Sequence, residues 1–243
     1  MDVIIFDKDG VLLNLNATWL PVAIDITHLL SDLTDNQHPA SLFQRIIGIS
    51  PDDDGIDPNG LFATGSFLDQ QAACAAIVPE LQRHFDDPSY REKVIKIVQS
   101  HSQNGPVPLG DITTPLMRLQ KAGYKMAILT NDAEASARFA CDRLDITSFF
   151  EMIVGFDTGY GGKPAPQGFH AICEHLSVPA HKAIMVGDTS ADRNVAEAAG
   201  AGLFVGISSL YPEPTDNLKG VPHILPSILK LPDLLSDIQK QAS

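Results

Sequence analysis

Residues 2–13 read Asp-Val-Ile-Ile-Phe-Asp-Lys-Asp-Gly-Val-Leu-Leu, and the break inside this stretch constrains the fold more than any other feature. Val3 to Phe6 is a short run of β-branched and aromatic residues with no polar alternation. Such a run suits a strand buried on both faces of a parallel sheet. It stops at two carboxylates, Asp7 and Asp9, and Gly10 then permits a tight turn. In open α/β sheets ligands bind beyond the carboxyl ends of the strands, where these acids would stand. Neighbouring acids there repel each other unless a cation or a shared proton lies between them. That points to a hard divalent ion with oxygen ligands, Mg²⁺ above all. A polar turn after a strand is the plain alternative, because Asp and Gly are common turn formers.

Three later segments weigh against the plain alternative. In Lys125–Asp132 an apolar strand ends in Thr130 and Asn131, and Asp132 is placed to cap the next helix. A hydroxyl, an amide and free helix N–H groups together make a phosphate cradle; an N-cap without a ligand is the competing reading. In Gly159–Pro166, Lys163 sits between glycines and prolines, a positive charge on a stiff backbone. A generic Gly/Pro loop is the alternative there. In Ala183–Gly200 a buried strand delivers Asp188 at its tip, and Asp192 follows in the first turn of an alanine-rich helix. The helix dipole alone accounts for an acid at Asp192, but it does less for Asp188.

As an ordered set, Asp7-Lys8-Asp9-Gly10-Val11, Thr130-Asn131, Gly162-Lys163-Pro164 and Gly187-Asp188-Thr189-Ser190-Ala191-Asp192 resembles the haloacid dehalogenase superfamily of phosphohydrolases. The likeness covers nearly the whole chain. It is nearest to the phosphoglycolate phosphatase-like branch, in which a helical cap is inserted soon after the first motif. One departure is Val11, where many members have threonine and several active relatives have valine.

The resemblance implies a mechanism suited to phosphoryl transfer, which needs positioning and charge neutralisation. Asp7 attacks phosphorus and forms an aspartyl phosphate; a carboxylate with an ordinary pKa of about 3.9 is ionised at neutral pH and needs no base. Asp9 protonates the leaving alkoxide and then deprotonates the hydrolytic water. Mg²⁺ is held by Asp7, Asp188 and the backbone carbonyl of Asp9. Thr130, Asn131 and Lys163 bind the phosphoryl oxygens, and Asp192 orients Lys163 or a water on the metal from behind.

The expected fold is a doubly wound, Rossmann-like α/β core with an inserted α-helical cap. Residues 1–13 and 107–243 form the core and 14–106 the cap. Within the insert, Trp19, Val22, Ala23, Ile26, Leu29 and Leu30 recur at helical spacing, as do Leu42, Ile46 and Ile47. Further helices are expected over Ser66–Val78 and Pro88–Ser100, with hinges near Asn14–Asn16 and Gln103–Pro108. From Leu109 a helix to Ala122 opens an alternation of helix and strand that includes strands at Met152–Val154 and Leu203–Val205. The loop Gly48–Gly65 crowds Asp52, Asp53, Asp54 and Asp57 together; it lacks the terminal glutamate of an EF-hand and reads as a solvated acidic loop. In the resembled family this region of the cap helps choose the substrate.

The formal charge of −13 argues against nucleic acid or an anionic membrane surface as a partner. It also means that a small phosphorylated metabolite needs local positive charge, from a metal and Lys163. Cys74, Cys141 and Cys173 show no metal spacing and read as buried free thiols, and none of the eight histidines has a partner at metal spacing within a matching motif. No run approaches a membrane span and the first strand begins at once, so cytoplasm is the expected compartment. The sequence carries no signature of oligomeric state. The expected reaction is Mg²⁺-dependent hydrolysis of a small phosphate monoester. A phosphomutase would use the same core, while a non-enzymatic regulator would be expected to have lost a motif acid. Dehalogenation has no need of Asp9, since a departing halide takes no proton. Phosphonate hydrolysis would call on a cap lysine, and Lys93 and Lys96 sit on a late helix with a surface role expected.

Overall fold

The computed structural model describes residues 1–50, 55–101, 105–208 and 215–241. The chain opens with β1 (Val3–Phe6) and then makes α1 (Leu15–Leu33), α2 (Ala40–Ile47), α3 (Leu61–Thr64), α4 (Phe67–Ile77), α5 (Gln82–Phe85) and α6 (Pro88–His101). It continues as α7 (Thr113–Lys121), β2 (Lys125–Leu129), α8 (Glu134–Arg143), β3 (Met152–Val154), α9 (Gln167–His175) and β4 (Ala183–Gly187). The last elements are α10 (Ser190–Ala199), β5 (Leu203–Ile207), β6 (Ile224–Leu225) and α11 (Leu231–Gln241).

Among the described residues these six strands pair in parallel, in the order β3-β2-β1-β4-β5-β6. This is a doubly wound sheet, with its topological switch between β1 and β4. The period of two along each strand sorts side chains to two faces. Ile4 and Phe6 pack with Met126, Ile128, Ile184 and Val186 under α7, α8 and α11. Val3 and Ile5 pack with Ala127, Leu129 and Met185 under Phe169 and Ile172 of α9 and Val195 of α10. Coverage on both faces is why these strands read as unbroken apolar runs. Val11 and Leu12 join the first cluster, so the side chain after Gly10 is part of the apolar core. Among the described residues no helix is long and apolar enough to cross a membrane.

The chain divides into two units, Met1–Asn14 with Pro108–Ser243, and Leu15–Val107. In the first unit the two chain crossings are pinned together: Leu13 and Pro108 form an antiparallel bridge, and the Leu109 N–H donates to Leu12 O at 2.8 Å. The second unit is helical. Val22, Ala23 and Leu30 of α1, Phe43 and Ile47 of α2 and Tyr90 of α6 are buried in it. Phe67 and Phe85 bring their ring centroids to 6.5 and 5.0 Å from that of Tyr90. Ser66 and Asp69 form a capping box at the start of α4. The unit closes on itself, since the Val107 N–H donates to Thr18 Oγ1 at 3.1 Å.

Several local expectations need correction. The first helix after the insert starts at Thr113, where the Asp111 carboxylate accepts the Thr114 N–H at 3.0 Å, four residues later than periodicity suggested. β5 runs on to Ile207, and β6 and α11 follow it, neither marked by the motifs. The stretch Gly48–Gly65 is more than a solvated loop. Ile49 and Ile56 pair within it, both 3% exposed, and α3 ends it. Asp52, Asp53 and Asp54 lie outside the described residues; Asp57 turns its carboxylate onto the Asn59 N–H.

Cys74, Cys141 and Cys173 are free and buried, and burial pushes each thiol up to about 11. A thiol-specific reagent at pH 8 should therefore label none of them in the native protein and all three after unfolding. Rapid labelling of any one without denaturant would contradict the packing.

Candidate active site

Strand register assembles the site. Phe6 pairs with Ile128 on one side and Val186 on the other, so the next residues bring Asp7, Thr130 and Asp188 to the same edge of the sheet. The Asp7 N–H donates to Val186 O at 2.8 Å and extends that register by one residue. Gly10 adopts φ +77°, and a Cβ there would lie 2.0 Å from Asp188 Oδ2. Both facts call for glycine, one for the turn and the other for the approach of the acid. Gly187 is needed for space alone, because its Cβ would lie 2.2 Å from that of Asp192.

Asp7 is buried, and its Oδ1 accepts the Lys8 N–H at 2.7 Å and faces Lys163 Nζ at 2.7 Å. Lys163 Nζ also reaches Asp192 Oδ1 at 2.5 Å. Asp192, wholly buried, spends its other oxygen on three donors: Asp188 N–H at 3.2 Å, Thr189 N–H at 3.0 Å and Thr189 Oγ1 at 2.6 Å. It is thus the N3 acid of a capping box on α10 and the counter-charge of Lys163 at once. Helix capping and site chemistry do not compete here, since each takes one oxygen.

Asn131 has a contact that the sequence does not announce. Its side-chain oxygen accepts the Lys163 N–H at 2.6 Å, and its amide donates to Lys163 O at 3.1 Å. Its side chain grips the lysine backbone and sets where the ammonium starts from. Thr130, 2% exposed, accepts the Asp132 N–H on its hydroxyl at 3.1 Å, which leaves the hydroxyl hydrogen to turn toward a ligand. Asp132 does not cap α8. That position is taken by Ala133 without a side-chain cap, and the Glu134 N–H goes to Asp157 Oδ1 at 2.8 Å. Asp132 instead bonds Lys8 Nζ at 2.6 Å, and Lys8 also meets Asp9 Oδ2 at 3.0 Å. Lys8 carries no assignment from the motifs, because nothing in residue spacing tells which acid a lysine will meet 124 positions away.

Burial and mutual repulsion dominate the electrostatics of these acids. Burial, then Asp192, push the Asp7 carboxyl up to about 7 despite Lys163. Asp188 is raised well above the carboxylate range by burial first and Asp7 next. Asp188 Oδ1 is buried with no hydrogen-bond partner. One oxygen each from Asp7, Asp188 and Asp192 lie within 4.8 Å of one another. An orphaned carboxyl oxygen among hard oxygen donors fits a divalent cation such as Mg²⁺, whose charge would offset the repulsion that helps to raise both acids. Asp192 is the weaker candidate ligand of the three, its oxygens being held by Lys163 and the α10 cap.

A family model described as haloacid dehalogenase-like hydrolase matches residues 1–200. A phosphoglycolate phosphatase of Mesorhizobium japonicum is 28% identical over 202 residues, 82% of this chain and 79% of that protein. One from Aquifex aeolicus is 32% identical over 115 residues, and the match spans 46% of this chain and only about half, 54%, of that relative. The crystal structure of a predicted phosphoglycolate phosphatase from Haemophilus somnus superposes with a TM-score of 0.69 at 18% identity, over 97% of this chain and 98% of the other. At that identity the superposition speaks for the fold alone.

Proposed function

The chain belongs to the haloacid dehalogenase-like hydrolases, and we propose that it is a Mg²⁺-dependent phosphatase acting on a small phosphate monoester through an aspartyl phosphate on Asp7. One observation carries this reading: Asp7 stands at the switch point between a lysine fixed at 2.7 Å and Asp188, whose Oδ1 is buried and unpartnered. A nucleophile placed between a fixed cation and a cation-binding acid is equipped to receive an anionic group. The names of the sequence relatives favour a small phosphorylated acid such as phosphoglycolate as the substrate class.

In the first step an Asp7 oxygen attacks phosphorus, the ester P–O bond breaks, and the departing oxygen takes a proton from Asp9. In the second, Asp9 takes a proton from water, the water oxygen attacks phosphorus, and the bond to Asp7 breaks to release inorganic phosphate. Thr130, through its hydroxyl, and the main chain of Asn131 hold the phosphoryl oxygens, and the Asn131 side chain keeps Lys163 aimed at them. Asp192 fixes the other end of that ammonium. Asp7, Asp188 and the Asp9 carbonyl would hold Mg²⁺, which when bound supplies neutralisation of phosphoryl charge.

The test is phosphate release from a panel of phosphorylated metabolites with Mg²⁺, followed by mass spectrometry of acid-quenched enzyme. Phosphate should appear on the peptide bearing Asp7. Release without that adduct would sink the covalent route, and isomerisation of a sugar phosphate without release would identify a mutase. We assign the choice among esters to the helical unit Leu15–Val107, which leaves the chain six residues after Asp9. The phosphoryl contacts above are common to every monoester, so discrimination has to come from elsewhere. Folded variants in Gly48–Gly65 should change the ranking of substrates by kcat/KM about 10-fold or more, with Mg²⁺ dependence unaltered. A uniform change across the panel would show that this region does not select.

A further inference from the structure

The lysine between the two acids of the β1 turn is buried, at 1% exposure. Its ammonium lies 2.6 Å from Asp132 Oδ2 and 3.0 Å from Asp9 Oδ2. Two carboxylates therefore face one ammonium within 3.0 Å. A buried charge is costly to keep, and a turn that needed only a spacer here would be better served by an apolar side chain. Val11 and Leu12 of the same turn are of that kind, both 1% exposed.

The pair also joins two strand tips. Asp132 follows β2 while Lys8 and Asp9 follow β1, and the shorter contact is the one to Asp132. That carboxylate is itself anchored, accepting the Ala133 N–H at 2.7 Å. The chain of contacts runs from the α8 turn through Asp132 and Lys8 to the Asp9 carboxyl, which is 18% exposed and can still meet a substrate. We propose that Lys8 is a positioning residue: anchored by Asp132, it holds the Asp9 carboxyl in the orientation from which a proton reaches the leaving-group oxygen. The inference rests on Asp9 being the general acid of the reaction proposed above.

Leaving-group chemistry provides the test. An alkyl phosphate needs a proton on its departing oxygen, whereas p-nitrophenyl phosphate releases a stable phenolate and does not. kcat/KM covers events only up to departure of the alcohol, so the ratio of the two substrates isolates the acid step. Lys8→Met should lower the alkyl-to-aryl ratio by about 10- to 100-fold, the scale of a misplaced catalytic group. Asp9→Asn should lower it at least as far, and adding Lys8→Met to Asp9→Asn should lower it no further. Asp132→Asn, which leaves Lys8 in place without its charged anchor, should shift the ratio in the same direction and decides the matter if Lys8→Met does not fold. Equal losses on both substrates in Lys8→Met and Asp132→Asn, with the ratio still falling in Asp9→Asn, would overturn the role of Lys8. A ratio that Asp9→Asn leaves unmoved would remove the acid role of Asp9 itself, and this inference with it.

Discussion

Asp7→Asn will leave a folded protein whose turnover of any phosphate monoester falls by on the order of 10⁴-fold or more, the scale of a lost covalent nucleophile. The amide keeps an oxygen for the Lys8 N–H and for Lys163, both at 2.7 Å in the parent. It also removes one of the acids that crowd Asp188, whose carboxyl Asp7 helps to raise. Thermal unfolding should therefore show no large loss of stability, which separates a chemical defect from a folding defect. Near-parental turnover in Asp7→Asn, with contaminating phosphatase excluded, would refute the mechanism.

Removing the metal should have a comparable effect. Activity should vanish in excess chelator and return with Mg²⁺, while Ca²⁺, which prefers more ligands at longer distances, should fail to support it. The same site can be read without turnover. Mg²⁺ at one hundred times its Kd should stabilise the fold by about 2.7 kcal/mol, raising Tm by roughly 5–10 °C in a chain of this size. Asp188→Asn should abolish that rise, because its buried, unpartnered Oδ1 is the oxygen a cation would claim first. The metal-free variant should be no less stable than the metal-free parent, since burial and Asp7 disfavour the charged acid there, a cost that a neutral amide does not carry. Full activity in chelator, or an unchanged Mg²⁺ response in Asp188→Asn, would show that the ion is held elsewhere or not at all.

Much of the sheet was legible because burial on both faces leaves an unmistakable mark. Val3–Phe6, Lys125–Leu129 and Ala183–Gly187 each show as an apolar run that stops at a polar residue, and parallel register then sets those stops side by side. The helices of the insert were legible from a period near 3.6. What escaped has a common cause. β6 has two residues, both half-buried, too few for any period to show. α3 and α5 have four each. Asp132 offered an N-cap on local grounds, and a lysine far away in sequence outbid the helix for it. That the Asn131 amide also grips the Lys163 backbone is invisible in the sequence, because the two residues lie 32 positions apart. The raised pKa of Asp7 is likewise a property of assembled neighbours, chiefly its burial and Asp192.

The pinned crossing of Leu13 and Pro108 bears on how the chain reaches this state. β1 is the central strand, yet Val3 waits for Lys125 and Ala183 as partners. Closing so long a gap by random search is entropically unfavourable and slows folding. The helical segment meets its own end through Thr18 and Val107, so once folded it returns the chain close to where it departed. Were the helical segment to form first, β1 and β2 would have a much shorter span of chain to close before pairing. In that order of events the segment that separates the strands would shorten their search.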